Sequence, residues 1–335
     1  MLGSVLSIGV AVPALSSEVI FTEIPAAQLG GGGLKVSENG VVAFRDADSF
    51  YKWSETDGLT VLGPTIGAYT QTVPHISNDG QTVSFNGVLG WGTTVVHKDG
   101  VMQELSRADI IGSSLSADGN SIGGSLYGSG SNGAGGPIAV LDLVDGAVES
   151  DESTDYAGYE VKNFSADGNV QLAATIGTNM FSSSPAYLIN SDGTRQQVAT
   201  NVQGIKDLSG DGLTVVGQSF ECVDFSFNCT VKWSPSGYTE LGMFFAGGMN
   251  FDGSVIVGYQ ANGDDAGGKI WDAANGIRDI SDVLAGRGID ISAWTNLRLN
   301  DISDNGYYIV GAGIDLQGNA KGFLISVLPQ CTSGL

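Results

Sequence analysis

The sequence predicts an all-β fold, a seven-bladed β-propeller of four-stranded antiparallel blades closed by pairing of the N- and C-terminal strands. Three observations carry this: a turn motif that recurs seven times, a second hairpin dipeptide that recurs in step with it, and a surplus strand at the start where the last unit lacks one. The turn is clearest in DISDNGYYIVG, residues 301–311: an apolar approach, a Ser-x-Asn-Gly turn, and an alternating β-branched strand that ends in glycine. The other copies are Val36-Ser37-Glu38-Asn39-Gly40, Ile76-Ser77-Asn78-Asp79-Gly80, Leu115-Ser116-Ala117-Asp118-Gly119, Phe164-Ser165-Ala166-Asp167-Gly168, Leu208-Ser209-Gly210-Asp211-Gly212 and Asn250-Phe251-Asp252-Gly253. Their glycines are spaced by 40, 39, 49, 44, 41 and 53 residues, the range in which propeller blades repeat.

Residues 18–23 (EVIFTE) form a strand with no turn before it. The first unit reads Leu34 to Ser37, a turn, Val41 to Arg45, a loop, Phe50 to Trp53, then Asp57-Gly58 and Leu59 to Leu62. Asp-Gly between two apolar runs is a strong hairpin signal. It returns as Asp99-Gly100, Asp145-Gly146, Asp192-Gly193, Ser236-Gly237 and Asn275-Gly276, so each unit is a four-stranded meander. The seventh unit has three strands, near 299–302, 307–312 and 322–327, and the strand at 19–23 supplies the fourth. Ring closure of this kind removes open sheet edges. The aspartates of the first turns (Asp79, Asp118, Asp167, Asp211, Asp252) are read as structural, placed before glycine because Asp tolerates left-handed φ and caps nearby N–H groups. Trp53, Trp233 and Trp271 recur at one blade position and are expected to pack between blades.

The chain has 335 residues and a formal net charge of −22, with 51 glycines. The glycines fall at turns and strand ends, and the charge would repel a phosphate backbone, which argues against nucleic acid as a partner. Residues 1–17 resemble a secretory leader without its basic n-region, residues 18–328 are expected to be one domain, and 329–335 a tail. No long apolar run predicts a transmembrane segment. Cys222 and Cys229 bracket one loop and are candidates for a small disulfide, Cys331 being left over, a pattern that suits an extracellular, cell-surface or periplasmic location.

The repeat resembles that of the secreted bacterial His-Ala-Phe repeat proteins. Leu208 to Gln218 (LSGDGLTVVGQ), Val231-Lys232-Trp233 and Gly237 to Gly242 (GYTELG) match one such unit, and the segment from Gly276 to Val327 is similar to that family's last repeat through Trp294, Gly311-x-Gly313 and Lys321-Gly322-Phe323-Leu324. The His-Ala-Phe tripeptide itself does not occur. The resemblance implies an exported propeller and carries over no catalytic residue. The Ser-x-Asp-Gly turn is also similar to the Ser-Pro-Asp-Gly units of periplasmic TolB-type propellers.

In such a meander the 1–2 and 3–4 turns share one face of the ring, while the 2–3 loops and the links between blades share the other. The first set is short and uniform here. All length variation falls in the second, at 126–137, 149–160, 219–229, 260–268 and 279–294, and irregular loops on a rigid scaffold are where binding residues concentrate. Tyr127, Tyr156, Tyr159, Phe244 and Phe245 are candidates for a stacking platform. Asp151, Glu152, Asp155, Asp264 and Asp265 are candidate oxygen ligands for calcium, though their spacing matches no known calcium loop and solvated acids are the plainer reading. Asp279 to Gly286 has the look of a short capping helix. His75 and His97 are the only histidines, so a three-histidine metal site is excluded and a Ser-His-Asp triad has no local signature. The expectation is an exported, non-enzymatic binding or cell-surface module using the loop face to engage a glycan or protein. The alternatives are an extracellular polysaccharide lyase or hydrolase and a structural subunit of an extracellular assembly.

Overall fold

In a computed structural model of the chain, residues 18–25, 33–65, 73–88, 93–105, 110–126, 136–151, 159–175, 186–198, 203–219, 222, 229–260 and 267–328 are described. Seven four-stranded antiparallel sheets follow one another as blades 1 to 7. The seventh is ordered so that the N-terminal strand Glu18–Ile24 lies outermost, against Ala320–Leu328, with Glu18 opposite Leu328 and Ile24 opposite Gly322. Chain termini thus close the ring through seven paired residues, as the surplus strand requires.

The inner strands are Lys35–Val36, Pro74–Ile76, Ile111–Leu115, Tyr159–Phe164, Gln203–Leu208, Phe245–Met249 and Thr295–Ile302. Each touches the inner strand of the next blade all the way round, so these seven line the central channel. The core lies between blades. Trp53 packs with Val310 and Leu324 of blade 7, Trp233 with Leu172 and Leu188 of blade 4, and Trp271 with Val216 of blade 5.

The first turns carry the closure. In blade 2, Gly80 N–H donates to Ser77 O (2.9 Å), Thr82 N–H to Ser77 Oγ (3.0 Å), and the Ser77 hydroxyl to Asp79 Oδ1 (2.6 Å), which also accepts the Gln81 N–H (2.9 Å). The same bonds recur at Ser116, Ser165 and Ser209. One expectation needs correction: Asp79, Asp118, Asp167, Asp211 and Asp252 do not adopt left-handed φ, which falls on the following glycine. Each aspartate is there to accept hydrogen bonds; the Ser165 hydroxyl and the Asn169 N–H hold Asp167 below the usual carboxylate range.

Successive turns are tied to one another. Glu38 N–H donates to Asn78 O (3.0 Å), Asn78 to Ala117 (2.7 Å), Ala166 to Gly210 (2.7 Å), Asp211 to Phe251 (2.9 Å) and Phe251 to Asp304 (2.9 Å). The Asn305 amide joins blade 7 to blade 1 on Glu38 O (2.7 Å), while blades 3 and 4 are tied below their turns, by the Ser114 hydroxyl on Val161 O (3.0 Å). Beneath this girdle, side chains of one blade fill the space under the turn glycine of the next: a Cβ at Gly212 would lie 2.8 Å from Val170 Cγ2, whereas one at Gly168 would meet nothing.

These two glycines share a φ near +72° (73° and 72°), which separates backbone strain from packing. Gly168→Ala is expected to lose about 1 kcal/mol through left-handed strain, and Gly212→Ala about 2–4 kcal/mol because strain and overpacking add. Denaturant unfolding of the two variants checks this; equal losses would contradict the inter-blade role of Gly212.

Candidate functional site

The loop face carries a cleft of about 770 Å³ between blades 6 and 7. It is built by the long link before the last blade. The segment forms a helix, Ile280–Ala285, whose Ile280 and Leu284 are buried against the blade 6–7 core. Gly268 lets the helix settle, since a Cβ there would lie 2.8 Å from Ile280 Cγ2. Asp279, at the helix start, does not cap it; its carboxylate is paired with Lys269, which is buried (4% side-chain exposure).

Three carboxylates, Asp279, Asp282 and Asp290, line the cleft with Ser281, Ser292, Thr295 and Asn296. Asp290 is held below the usual range by the Ser292 N–H (2.9 Å) and hydroxyl, and stays ionised. Asn296 has φ +51°, one of two non-glycine residues with positive φ among those described. Such backbone costs of order 1 kcal/mol or more and tends to mark functional sites. Trp294 also lines the cleft, with its ring edges on Phe21 (5.4 Å) and Phe323 (5.7 Å), so it anchors the N-terminal strand as well as forming a wall.

The sequence-derived platform is dispersed. Phe244 is 2% exposed and packs with Val216 and Ile256 in the core, so it is not available for stacking. Tyr159 is likewise buried, tilted against Tyr187 at 5.9 Å. Phe245 is half-buried and stacks on Tyr259 (5.6 Å), over which Arg298 lies at 4.8 Å. Tyr127, Tyr156, Glu152, Asp155, Asp264 and Asp265 lie outside the described residues, and Asp151 ends the outer strand of blade 3. Cys222 and Cys229 form a disulfide with Cα atoms 6.3 Å apart.

A second constellation, which residue patterns did not single out, lies in the channel. The inner strands of blades 3 to 7 each carry a register shift next to the turn. A bulge sets an extra residue outside the ladder and re-aims its side chain; here those residues include Ser113, Lys162, Lys206, Gly247 and Asn300. Blades 1 and 2 contribute Lys35 and His75. Lys35 Nζ pairs with Asp301 Oδ1 (2.8 Å), and Lys162 with Glu160. Asp301 Oδ2 accepts the Val36 N–H (3.0 Å), while Asp207 accepts from Met249 N–H (2.9 Å), Leu208 N–H (3.0 Å) and the Asn163 amide. Gly248 leaves room for both carboxylates, a Cβ there lying 2.6 Å from Asp301 Oδ1 and 3.5 Å from Asp207 Oδ2.

Electrostatics in this enclosed space are strongly perturbed. Burial works against the Lys35 charge, but Asp301 and Asp207 overcome it and raise its pKa. Burial, then Lys35 and Lys162, push His75 down to about 3, so its imidazole is neutral at physiological pH. Burial and then the neighbouring Lys35 lower Lys206. Burial pushes Asp207 up to about 6. Asp304 closes the turn-face end: its carboxylate accepts from Asn78 of blade 2 (3.1 Å) and would lie 3.1 Å from a Cβ at Gly210 of blade 5. Reaching blades on either side of its own places it near the axis.

No protein-family model matches the chain and no curated protein matches it, so the resemblance to His-Ala-Phe repeat proteins carries no family assignment. Solved structures share its fold. An oligogalacturonate lyase in complex with manganese is 13% identical with a TM-score of 0.61, over 94% of this chain and 96% of the other. The Cps50 (Swd1) β-propeller domain from Myceliophteria thermophila is 13% identical with a TM-score of 0.55, over 92% and 100%. A putative TolB from Agrobacterium tumefaciens is 15% identical with a TM-score of 0.48, over 82% and 95%. At these identities the likeness to the lyase and to the Cps50 domain shows the propeller fold alone and leaves activity open. No helix among the described residues is long and apolar enough to cross a membrane.

The raised Asp207 makes a signed prediction. Its folded-state value lies above the ordinary 3.8, so its contribution favours the fold fully below about pH 4 and is lost as pH rises through about 6. Asp207→Asn removes this titration. Relative to wild type, the variant's stability is expected to rise by about 2–3 kcal/mol between pH 4 and 7, measured by denaturant unfolding at each pH. A difference that does not change with pH would contradict the buried, titrating Asp207.

Proposed function

We propose that the protein is an exported, non-enzymatic binding module that engages an extracellular glycan through its loop face, at the cleft between blades 6 and 7. The observation that carries this reading is the asymmetry of the two faces. One is knit by hydrogen bonds between the short turns of neighbouring blades. The other gathers the variable loops and a cleft whose carboxylates, hydroxyls and amide suit the hydroxyl groups of a sugar. A mostly apolar base with a few convergent polar groups is the usual make-up of a small-ligand site; Ile280, Ile289, Ile291 and Leu297 supply that base. The Cys222–Cys229 disulfide supports an oxidising compartment. Calcium bridging between a glycan and the loop-face acids is compatible with oxygen-rich donors of this kind.

Thermal unfolding across a panel of polysaccharides, with calcium or chelator, tests the proposal. A ligand at 100 times its Kd adds about 2.7 kcal/mol of stability. The expected result is stabilisation by at least one glycan without loss of its chain length, and loss of that stabilisation in Asp282→Asn/Asp290→Asn. Depolymerisation of the glycan would make the protein a lyase or hydrolase instead, and no response to any glycan would overturn the reading.

A further inference from the structure

We propose that Cys222, Cys229 and Glu240 form a second site, separate from the loop-face cleft: a redox-gated site for a thiophilic divalent cation such as zinc, closed while the two cysteines are disulfide-bonded and open once they are thiols. One carboxylate oxygen of Glu240 and the two sulfurs lie within 4.8 Å of one another. Among the described residues this is the one group of three His, Cys, Asp or Glu side chains whose ligand atoms converge so closely. All three residues belong to blade 5, Cys229 and Glu240 on the paired strands Cys229–Ser234 and Gly237–Gly242, and Cys222 just past the strand Val215–Ser219.

Strand pairing brings the three together. Val231 stands opposite Glu240, and the register slips between Thr230 and Val231, which makes Leu241 the extra residue of a bulge beside Glu240. A bulge re-aims the side chains next to it, and here the Glu240 carboxylate reaches the sulfur of Cys229, two residues along the facing strand from Val231. Cys229 is fully buried, whereas Cys222 and Glu240 are half-buried, so an ion reaches the site from their side. Tetrahedral zinc with Zn–S bonds of about 2.3 Å holds two thiolates about 3.8 Å apart. The Cα atoms of Cys222 and Cys229 already stand 6.3 Å apart, so side-chain rotation alone can part the sulfurs to that distance.

The gating follows from sulfur chemistry, since the thiolate is the metal ligand and a disulfide offers none. Two-electron reduction by a dithiol breaks the S–S bond. The dithiol is oxidised to its own disulfide, and its two protons end on the Cys222 and Cys229 sulfurs. The cation then displaces both protons and is held by two thiolates and the Glu240 carboxylate, with a fourth position left for water or another donor. Two sulfur ligands select a soft or borderline ion over calcium and magnesium, which prefer oxygen. The net charge of −22 favours a cation as well. Because the ion binds the dithiol form alone, it opposes re-formation of the disulfide.

Cobalt is the probe, because thiolate ligation gives it a charge-transfer band that zinc, with its filled d shell, lacks. The whole chain carrying Cys331→Ser, which removes the third cysteine, is reduced, freed of reductant without oxygen, and titrated with cobalt and then zinc. The reduced protein is expected to bind one cobalt per chain with a thiolate band, and zinc to abolish that band. Zinc is expected to raise the Tm of the reduced protein by more than that of the oxidised protein. Glu240→Gln, which leaves both cysteines in place, is expected to weaken binding of both ions by the reduced protein at least about tenfold. The proposal is overturned by the same cobalt binding in the oxidised protein, by no thiolate band in the reduced protein, by one metal shared between two chains, or by unchanged affinity in Glu240→Gln. A reduced chain that unfolds but refolds on adding zinc supports it, and one that stays unfolded with zinc overturns it. The glycan test reads Asp282 and Asp290 on the loop face, so either proposal can fail without the other.

Discussion

Hydrogen bonds between successive Ser-x-Asp-Gly turns are the constraint on which the rest of the molecule depends. A meander of four strands leaves its inner and outer edges unpaired, and seven such units bury their faces only against one another. The turn solves the geometric part locally: the serine hydroxyl and the aspartate carboxylate satisfy the turn's own N–H groups, which frees the x residue to bond to the next blade. The glycine then lets the following blade close over its neighbour's side chain. Pairing of Glu18–Ile24 with Ala320–Leu328 completes the circle with backbone bonds, where a less regular contact between first and last blades would leave an edge.

A ring closed this tightly on one face has consequences inside. Seven inner strands converge towards the axis, and bulges beside the turns push extra side chains into the channel. In a chain of net charge −22, three of its 14 Lys and Arg residues sit in this lumen, alongside aspartates whose pKa values burial has raised. Burying opposite charges together rarely adds net stability, while removing one partner is costly. The ion pairs therefore read better as a device that sets the blades' register than as a source of stability.

Blade number, strand order and the three-plus-one closure were legible because they rest on repetition: Gly40 to Gly306 mark the same place seven times. The conformation within the turn was not, since Asp-Gly suggests a two-residue hairpin with left-handed Asp, and only the cross-bonds of Ser77 and Asp79 show a longer turn. The loop-face cleft was foreshadowed by the length of the segment 279–294 and its short helix. Phe244 was misplaced for a plain reason: next to Phe245 in sequence, it looks like part of a loop pair, yet strand alternation sends one ring into the core and the other outward. The lumen was hidden because its residues differ in every blade. Lys35, His75, Lys162, Lys206 and Asn300 share a position relative to the turn serine, and a search of the residues two and three places before it would have found them.

Native-state hydrogen exchange tests the central claim, that the turn girdle holds the ring. The amides of Glu38, Asn78, Ala166, Asp211 and Phe251 donate between blades, and if the girdle is the closing constraint they exchange only when the whole ring unfolds, with the same free energy as the pairing of Glu18–Ile24 to Ala320–Leu328. Exchange of these amides through local opening, while the blades stay protected, would show that packing between the sheets holds the ring and that the turns merely decorate it.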